Sequence, residues 1–232
     1  MIKRLVLLPG MDGTGTLFAD FVHALSDRFE TEVVRYPSDK CLSYAELMNL
    51  VQAAAPVSEP FVILAESFST PLAVQYAATH PPNLKGVVLC AGFVSSPVRG
   101  WRRFACSLLA PIAFLFPLSR LVAELFLVGR DAPHSLLTTV RSAISSARPK
   151  VLSDRLRCIL ACDVRNELVQ ITAPILYIQA QHDRLVHSPC LEEIRRIKPQ
   201  VEVATIAGPH LILQREPQKA AAEVARFVQT LA

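Results

Sequence analysis

A serine, an aspartate and a histidine, each placed just past an apolar run, are the residues of this 232-residue chain best suited to chemistry. The serine lies in residues 61–78, FVILAESFSTPLAVQYAA. That stretch opens with Phe61-Val62-Ile63-Leu64 and continues, after a break, with Leu72, Tyr76 and Ala77 at helical spacing. A short apolar run bounded by a break reads as a buried parallel strand. Ser67 therefore sits where a strand ends and a helix begins. A serine on such a sharp turn exposes its hydroxyl, and the next backbone N–H groups point at the same spot. The usual form of the turn is G-x-S-x-G. Here it is Ala65-x-Ser67-x-Ser69, small on both sides but without glycine. Pro71 falls in the first helical turn, where its missing N–H costs little. Taken alone, the pentapeptide also fits a plain strand and helix carrying a surface serine.

The elements around it follow from periodicity. Apolar runs predict strands at residues 2–8, 31–36, 61–65, 86–91, 174–179 and 201–206. Helical patterns lie between them. Leu17, Phe18, Phe21, Val22 and Leu25 share one face, Ser43-x-x-Glu46 is a capping box, Ser188-Pro189 reads as an N-cap followed by Pro at N1, and Ala221, Val224, Val228 and Leu231 mark a closing helix. Strands alternating with helices predict an α/β fold with a doubly wound, mostly parallel sheet of about six strands. From residue 93 to about 169 the alternation fails. That region is apolar and helical, with Pro111 and Pro117 as punctuation. It reads as a helical cap, inserted into a core made of 1–92 and 170–232, with its apolar faces on the sheet domain and some lining a pocket. A membrane span is excluded there because two prolines, Arg120 and Glu124 interrupt the run, and about 20 largely uncharged residues are needed to cross.

Composition narrows the function classes. Half the residues are hydrophobic, so the chain folds, and its length fits one α/β domain with an insertion. A net charge of +4 does not imply nucleic acid. Met1-Ile2-Lys3-Arg4 and the leucine-rich run after it look like the start of a signal peptide, but four apolar residues before Pro9-Gly10 are too few for its core. The six cysteines, Cys41, Cys90, Cys106, Cys158, Cys162 and Cys190, form no disulfide framework. Cys158 and Cys162 lack partners at zinc spacing. A reducing cytoplasm, no metal and no cofactor are expected. The loop Pro9-Gly10-Met11-Asp12-Gly13-Thr14-Gly15-Thr16 matches neither G-x-G-x-x-G nor a P-loop ending. Its alternative use is to offer a backbone N–H, that of Met11, to an oxyanion.

Ser67 follows the third predicted strand, Asp183 the fifth and His210 the sixth. In an open parallel sheet, functional groups gather beyond the carboxyl ends of the strands. The order serine, acid, histidine is that of α/β-hydrolases. With LLPGMDGTG after the first strand, LAESFS at the elbow, the helical cap, QAQHD and AGPH, the chain resembles a small α/β-hydrolase-fold protein over nearly its full length. It departs from the family where Pro9 replaces a common histidine, where the elbow lacks both glycines, and in lacking two leading strands. The resemblance implies a serine hydrolase cleaving a carboxylic ester or thioester. Ser67 would attack the carbonyl, His210 would accept and return the proton, Asp183 would hold the imidazole, and the N–H groups of Met11 and Phe68 would receive the oxyanion. His182 and His187 are loop rivals to His210, and Asp163 is the weaker rival to Asp183. Glu66 reads as a turn residue.

The cap suggests an apolar acyl group. Arg99, Arg102, Arg103, Arg141, Arg148, Lys150, Arg155 and Arg157 make it basic. They are either plainly solvated or an attraction for an anionic carrier, such as an acyl carrier protein, a CoA tail or a lipid headgroup. Some relatives of this size and cap resemble carboxylesterases acting on carrier-bound methyl esters. Acyl transfer by the same triad, and a non-catalytic hydrolase-like binding protein, remain open at this point.

Overall fold

The structure, a computed structural model, describes residues 2–231; Met1 and Ala232, the outer ends of the predicted core segments, lie outside the described residues. Among the described residues, β1 (Arg4–Leu8), β2 (Glu30–Val33), β3 (Phe61–Glu66), β4 (Leu84–Cys90), β5 (Ile175–Ala180) and β6 (Glu202–Ile206) form one sheet. Its order is β2-β1-β3-β4-β5-β6, and every neighbouring pair is parallel. This is the predicted doubly wound α/β sheet.

The apolar runs are continuous because both faces of the sheet are covered. Phe61, Ile63 and Ala65 of β3 face one core, which also holds Leu47 and Val51 of α2 (Tyr44–Ala54), Leu72 and Tyr76 of α3 (Thr70–Ala78) and Ile194 of α9 (Ser188–Ile197). Val62 and Leu64 face the other, with Phe21 of α1 (Ala19–Leu25) and Val224 and Phe227 of α11 (Pro217–Thr230). Period-two alternation thus divides each central strand between two helix layers.

Between β4 and β5 the chain is helical: α4 (Trp101–Ala113), α5 (Arg120–Val122), a π-helical stretch (Ala123–Val128), α6 (His134–Ser146), α7 (Pro149–Ala161) and α8 (Arg165–Gln170). A third cluster ties part of this segment down. Ala123, Val128, Leu137, Val140 and Ala143 pack on Leu17 and Leu211, which flank the glycine-rich loop and His210. The short helix α10 (Ile212–Arg215) follows at once. No helix among the described residues is long and apolar enough to cross a membrane.

Three expectations change. The second strand ends at Val33: Val34 N–H still donates to Leu7 C=O at 3.0 Å, but residues 35–36 leave the sheet edge, and Tyr36 N–H donates to Gly13 C=O at 2.8 Å. The N-cap of α9 is His187, with Ser188 as its first residue and no side-chain cap bond. The apolar side of α4 is not packed on the sheet domain. Phe104 and Leu108 are 74% and 67% exposed.

Burial therefore sorts the leucines by energy. Leu64→Ala in β3 should cost about 2–5 kcal/mol of unfolding free energy. Leu108→Ala on α4 should stay within about 0.5 kcal/mol. Urea unfolding followed by circular dichroism measures both, and equal losses would contradict this packing.

Candidate active site

The sheet order reverses at β1: the chain goes from β1 outward to β2, then returns to place β3 on the other side. Loops that leave adjacent strands in opposite directions open a crevice at their carboxyl ends. The glycine-rich loop leaves β1 there, and Ser67 leaves β3. His210 Nε2 lies 2.9 Å from Ser67 Oγ, and His210 Nδ1 lies 2.7 Å from Asp183 Oδ2. The histidine and aspartate side chains are each 4% exposed. Asp183 is aimed by the backbone: its Oδ1 accepts the N–H groups of Leu185 and Val186 at 2.8 and 2.9 Å, leaving Oδ2 for the imidazole. The two loops are laced together by His182 N–H donating to Gly208 C=O at 2.9 Å. Burial disfavours the charged imidazolium, but the charge and hydrogen bond of Asp183, with Glu66 charge added, outweigh it and raise the His210 pKa above 6.5.

The elbow is tight without glycine. Ser67 takes a left-handed φ of 48°, the conformation that turns its hydroxyl out of the chain path; a non-glycine residue there stores strain. Thr70 secures the turn, donating to Ser67 C=O at 2.8 Å and accepting Phe93 N–H at 3.1 Å. Ser69, standing where the motif usually has glycine, has an ordinary right-handed φ of −85°. Its hydroxyl donates to Pro9 C=O and accepts from Tyr36 OH, the latter at 2.7 Å. The departure from the motif thus adds a tether between β3 and the β1 loop.

That loop is held by its carbonyls. Besides Pro9, Gly10 C=O accepts Gly13 N–H at 3.1 Å and Gly13 C=O accepts Tyr36 N–H at 2.8 Å. Met11 and Asp12 C=O both accept Arg155 Nη1, at 2.8 and 2.7 Å. With the carbonyls turned outward and occupied, the Met11 N–H takes no partner among the described residues. Arg155 comes from α7, donates a further bond to Pro37 C=O at 2.9 Å, and lies over the Tyr36 ring. It is 3% exposed, so the solvated reading does not hold for this arginine. Gly13 makes room for it: a Cβ there would lie 2.5 Å from Arg155 Nη1, and its φ is +74°. Phe68 stacks on Tyr44 at 5.0 Å between ring centres, and Tyr44 OH donates to Phe68 C=O at 2.8 Å.

Glu66 is no turn residue. It ends β3 at 1% exposure. Gln214 Nε2 approaches its Oε2 at 3.4 Å, and its Oε1 has no partner. Burial, with Asp12 charge added, pushes its carboxyl up to about 7 against the opposing pull of His210. No signal in the sequence marked this burial, because the predicted strand stops at Ala65. Gln214, one helical turn after His210, carried none. The rivals lie elsewhere. His182 and His187 are exposed, and Asp163 pairs with Arg165 at 2.6 Å. Neither of two surface clefts, of about 610 and 650 Å³, is lined by Ser67, Asp183 or His210.

This sheet, with these loops at its carboxyl edge, has the α/β-hydrolase fold. A hydrolase structure from Oleispira antarctica superposes with a TM-score of 0.82 over 99% of this chain and 92% of that one, at 14% identity. No protein-family model matches the chain. A pimeloyl-[acyl-carrier protein] methyl ester esterase from Stenotrophomonas maltophilia is 26% identical over 98% of this chain and 93% of its own length. The biotin biosynthesis bifunctional protein BioHC of Cellvibrio japonicus is 28% identical over 84% of this chain, which spans 40% of that longer relative.

The raised carboxyl of Glu66 has a stability consequence with a definite sign. Folding favours its neutral form, so the cost of burying the charge is absent below the ordinary value of 4.5 and complete above about 7. Wild-type stability should therefore fall between pH 5 and pH 8 by up to about 3 kcal/mol from this group. Glu66→Gln should flatten that fall. Denaturant midpoints at the two pH values decide it, and an unchanged pH dependence in the variant would show that Glu66 is charged in the fold at both.

Proposed function

We propose that this chain hydrolyses a carboxylic ester through an acyl-enzyme on Ser67. The observation that carries the reading is the single buried imidazole with Ser67 Oγ on one nitrogen and the backbone-aimed Asp183 on the other. Ser67 Oγ attacks the ester carbonyl carbon, and its proton passes to His210 Nε2. The carbonyl oxygen becomes an oxyanion received by the N–H groups of Met11 and Phe68, each donor worth about 3–4 kcal/mol of barrier. Asp183 stabilises the imidazolium, which then protonates the departing alcohol. Water repeats the sequence on the acyl-enzyme and frees the acid. No cofactor enters these steps.

Residues 93–169 act in this reading as a cap on the core of 1–92 and 170–232. The names of the relatives supply the substrate to test: the methyl ester of pimeloyl-acyl carrier protein. An acidic carrier suits the exposed Arg141 and Arg148. Lys150 and Arg157 are already engaged by Asp154. Six free cysteines support a reducing, cytoplasmic setting.

A fluorophosphonate should label wild type and leave Ser67→Ala unlabelled, at a rate that falls as pH drops through a value above 6.5, where His210 gains its proton. On the carrier-bound ester, kcat/KM should fall with added salt, while that on dimethyl pimelate should not, because exposed charge attraction is screened. Equal labelling of the alanine variant would remove Ser67 from the reaction, and salt independence would remove the carrier from the basic surface. Arg155→Met should lower kcat roughly 100-fold with KM nearly unchanged, since it releases the loop that presents the Met11 N–H. A change confined to KM would make Arg155 a substrate contact instead.

A further inference from the structure

α4 is packed inside out. Its inward side, against α7, is built from small residues, with Ala110 buried and Ser107 partly so. Its outward side carries Trp101, Phe104, Leu108 and Ile112 along one stripe, and the chain after it adds Leu115 and Phe116. All six are more than half exposed, Trp101 at 79%. Spacings of three and four residues put such side chains on one helix face. A monomer rarely leaves so many large apolar groups together in water, and a contiguous patch of this kind marks an interaction site.

Charge says what covers it. Residues 99–122 contain Arg99, Arg102, Arg103 and Arg120 and no aspartate or glutamate. Arg120 pairs with Glu124 at 2.6 Å. Arg99, Arg102 and Arg103 have no carboxylate in ion-pair reach among the described residues. Arg99 and Arg103, with Arg196, line the 610 Å³ cleft at the foot of α4, whose Asp163 and Glu193 are already engaged by Arg165. A second copy docking face to face would set these cationic groups against themselves with no acid between. Anionic lipid headgroups would neutralise them while the acyl region took the stripe. With 13 residues, α4 is about 20 Å long, short of the roughly 30 Å hydrocarbon core. It can lie on a bilayer but not span one.

We propose that α4 and the chain just after it dock this protein on the surface of an anionic bilayer. Trp101, Phe104, Leu108 and Phe116 sink below the headgroups, and Arg99, Arg102 and Arg103 sit among the phosphates. The proposal goes beyond the ester hydrolase reading and stands whether or not that reading holds, because its readout is binding.

Trp101 is the one tryptophan of the chain and reports on the site directly. The full chain is titrated with vesicles of equimolar phosphatidylcholine and phosphatidylglycerol, and with phosphatidylcholine alone. Trp101 emission should shift to the blue and the protein should sediment with the mixed vesicles, at least about tenfold more weakly with the neutral ones. Arg102→Gln and Arg103→Gln should each weaken partitioning about fivefold. Phe104→Asp combined with Leu108→Asp should abolish it while leaving fluorophosphonate labelling and the unfolding midpoint as in wild type, since both side chains face solvent. Emission that stays unmoved with protein left in the supernatant overturns the proposal. So does sedimentation velocity showing a dimer whose Trp101 emission is already blue without lipid, or a shift given by an acidic carrier protein and not by vesicles.

Discussion

An imidazole withdrawn from water has to find partners for both of its nitrogens, and in this molecule each partner comes from a different strand. His210 is 4% exposed. It reaches Ser67 at the end of β3 and Asp183 beyond β5, from a loop that follows β6. Those three positions meet only because all six strands run the same way and present their carboxyl ends along one edge. The buried runs of Val, Ile and Leu that drive sheet formation by removal from water are therefore also what brings an alcohol, a base and an acid within hydrogen-bond distance. Removing the parallel order would leave each nitrogen unpartnered, a cost of a few kcal/mol for a buried polar group.

The second constraint acts on the loop after β1. A backbone N–H can serve an anion only if the neighbouring carbonyls are turned away and kept there. In this loop they are held by Ser69, Gly13, Arg155 and Tyr36, which come from four separate parts of the chain. Arg155 matters most in this arrangement because it comes from the helices between β4 and β5. A buried guanidinium satisfied by three carbonyls and a tyrosine ring couples that segment rigidly to the candidate oxyanion loop. The glycines missing from the elbow are accounted for in the same network. The left-handed turn falls on Ser67 itself, and the position after Phe68 is used for a hydroxyl that a glycine could not supply.

The segment between β4 and β5 divides into two behaviours. The π-helical stretch and α6 bury their apolar side chains against Leu17 and Leu211, so they brace the loops that carry the glycine-rich turn and His210. α4 keeps its small side chains inward and its large ones in water. Small residues allow close approach to α7, and the aromatic and leucine side chains then have no volume left between the helices to fill. The same apolar composition therefore contributes a core in one half of the segment and a surface in the other.

Periodicity in the sequence was enough to place the strands, to set them parallel, and to pick out Ser67, Asp183 and His210 as residues beyond strand ends, because burial on both faces and a break before each helix are local properties. The resemblance to α/β-hydrolases, rather than periodicity, implied Met11 and Phe68 as candidate backbone donors. The early exit of residues 35–36 from the sheet was not legible, since a strand edge ends where a distant loop, here at Gly13, takes the N–H of Tyr36. Nor was the burial of Arg155 or Glu66. An arginine in a basic run looks solvated, and a glutamate beside a serine looks like a turn, until long-range packing closes over them. Which way α4 faces was likewise undetermined, because an amphipathic pattern defines two faces without saying which meets the protein. The chain's own residue order thus decided the architecture and the candidate positions for chemistry, and the tertiary structure alone decided the hydrogen bonds between distant segments and the side on which the apolar stripe lies, because both depend on what the rest of the fold leaves room for.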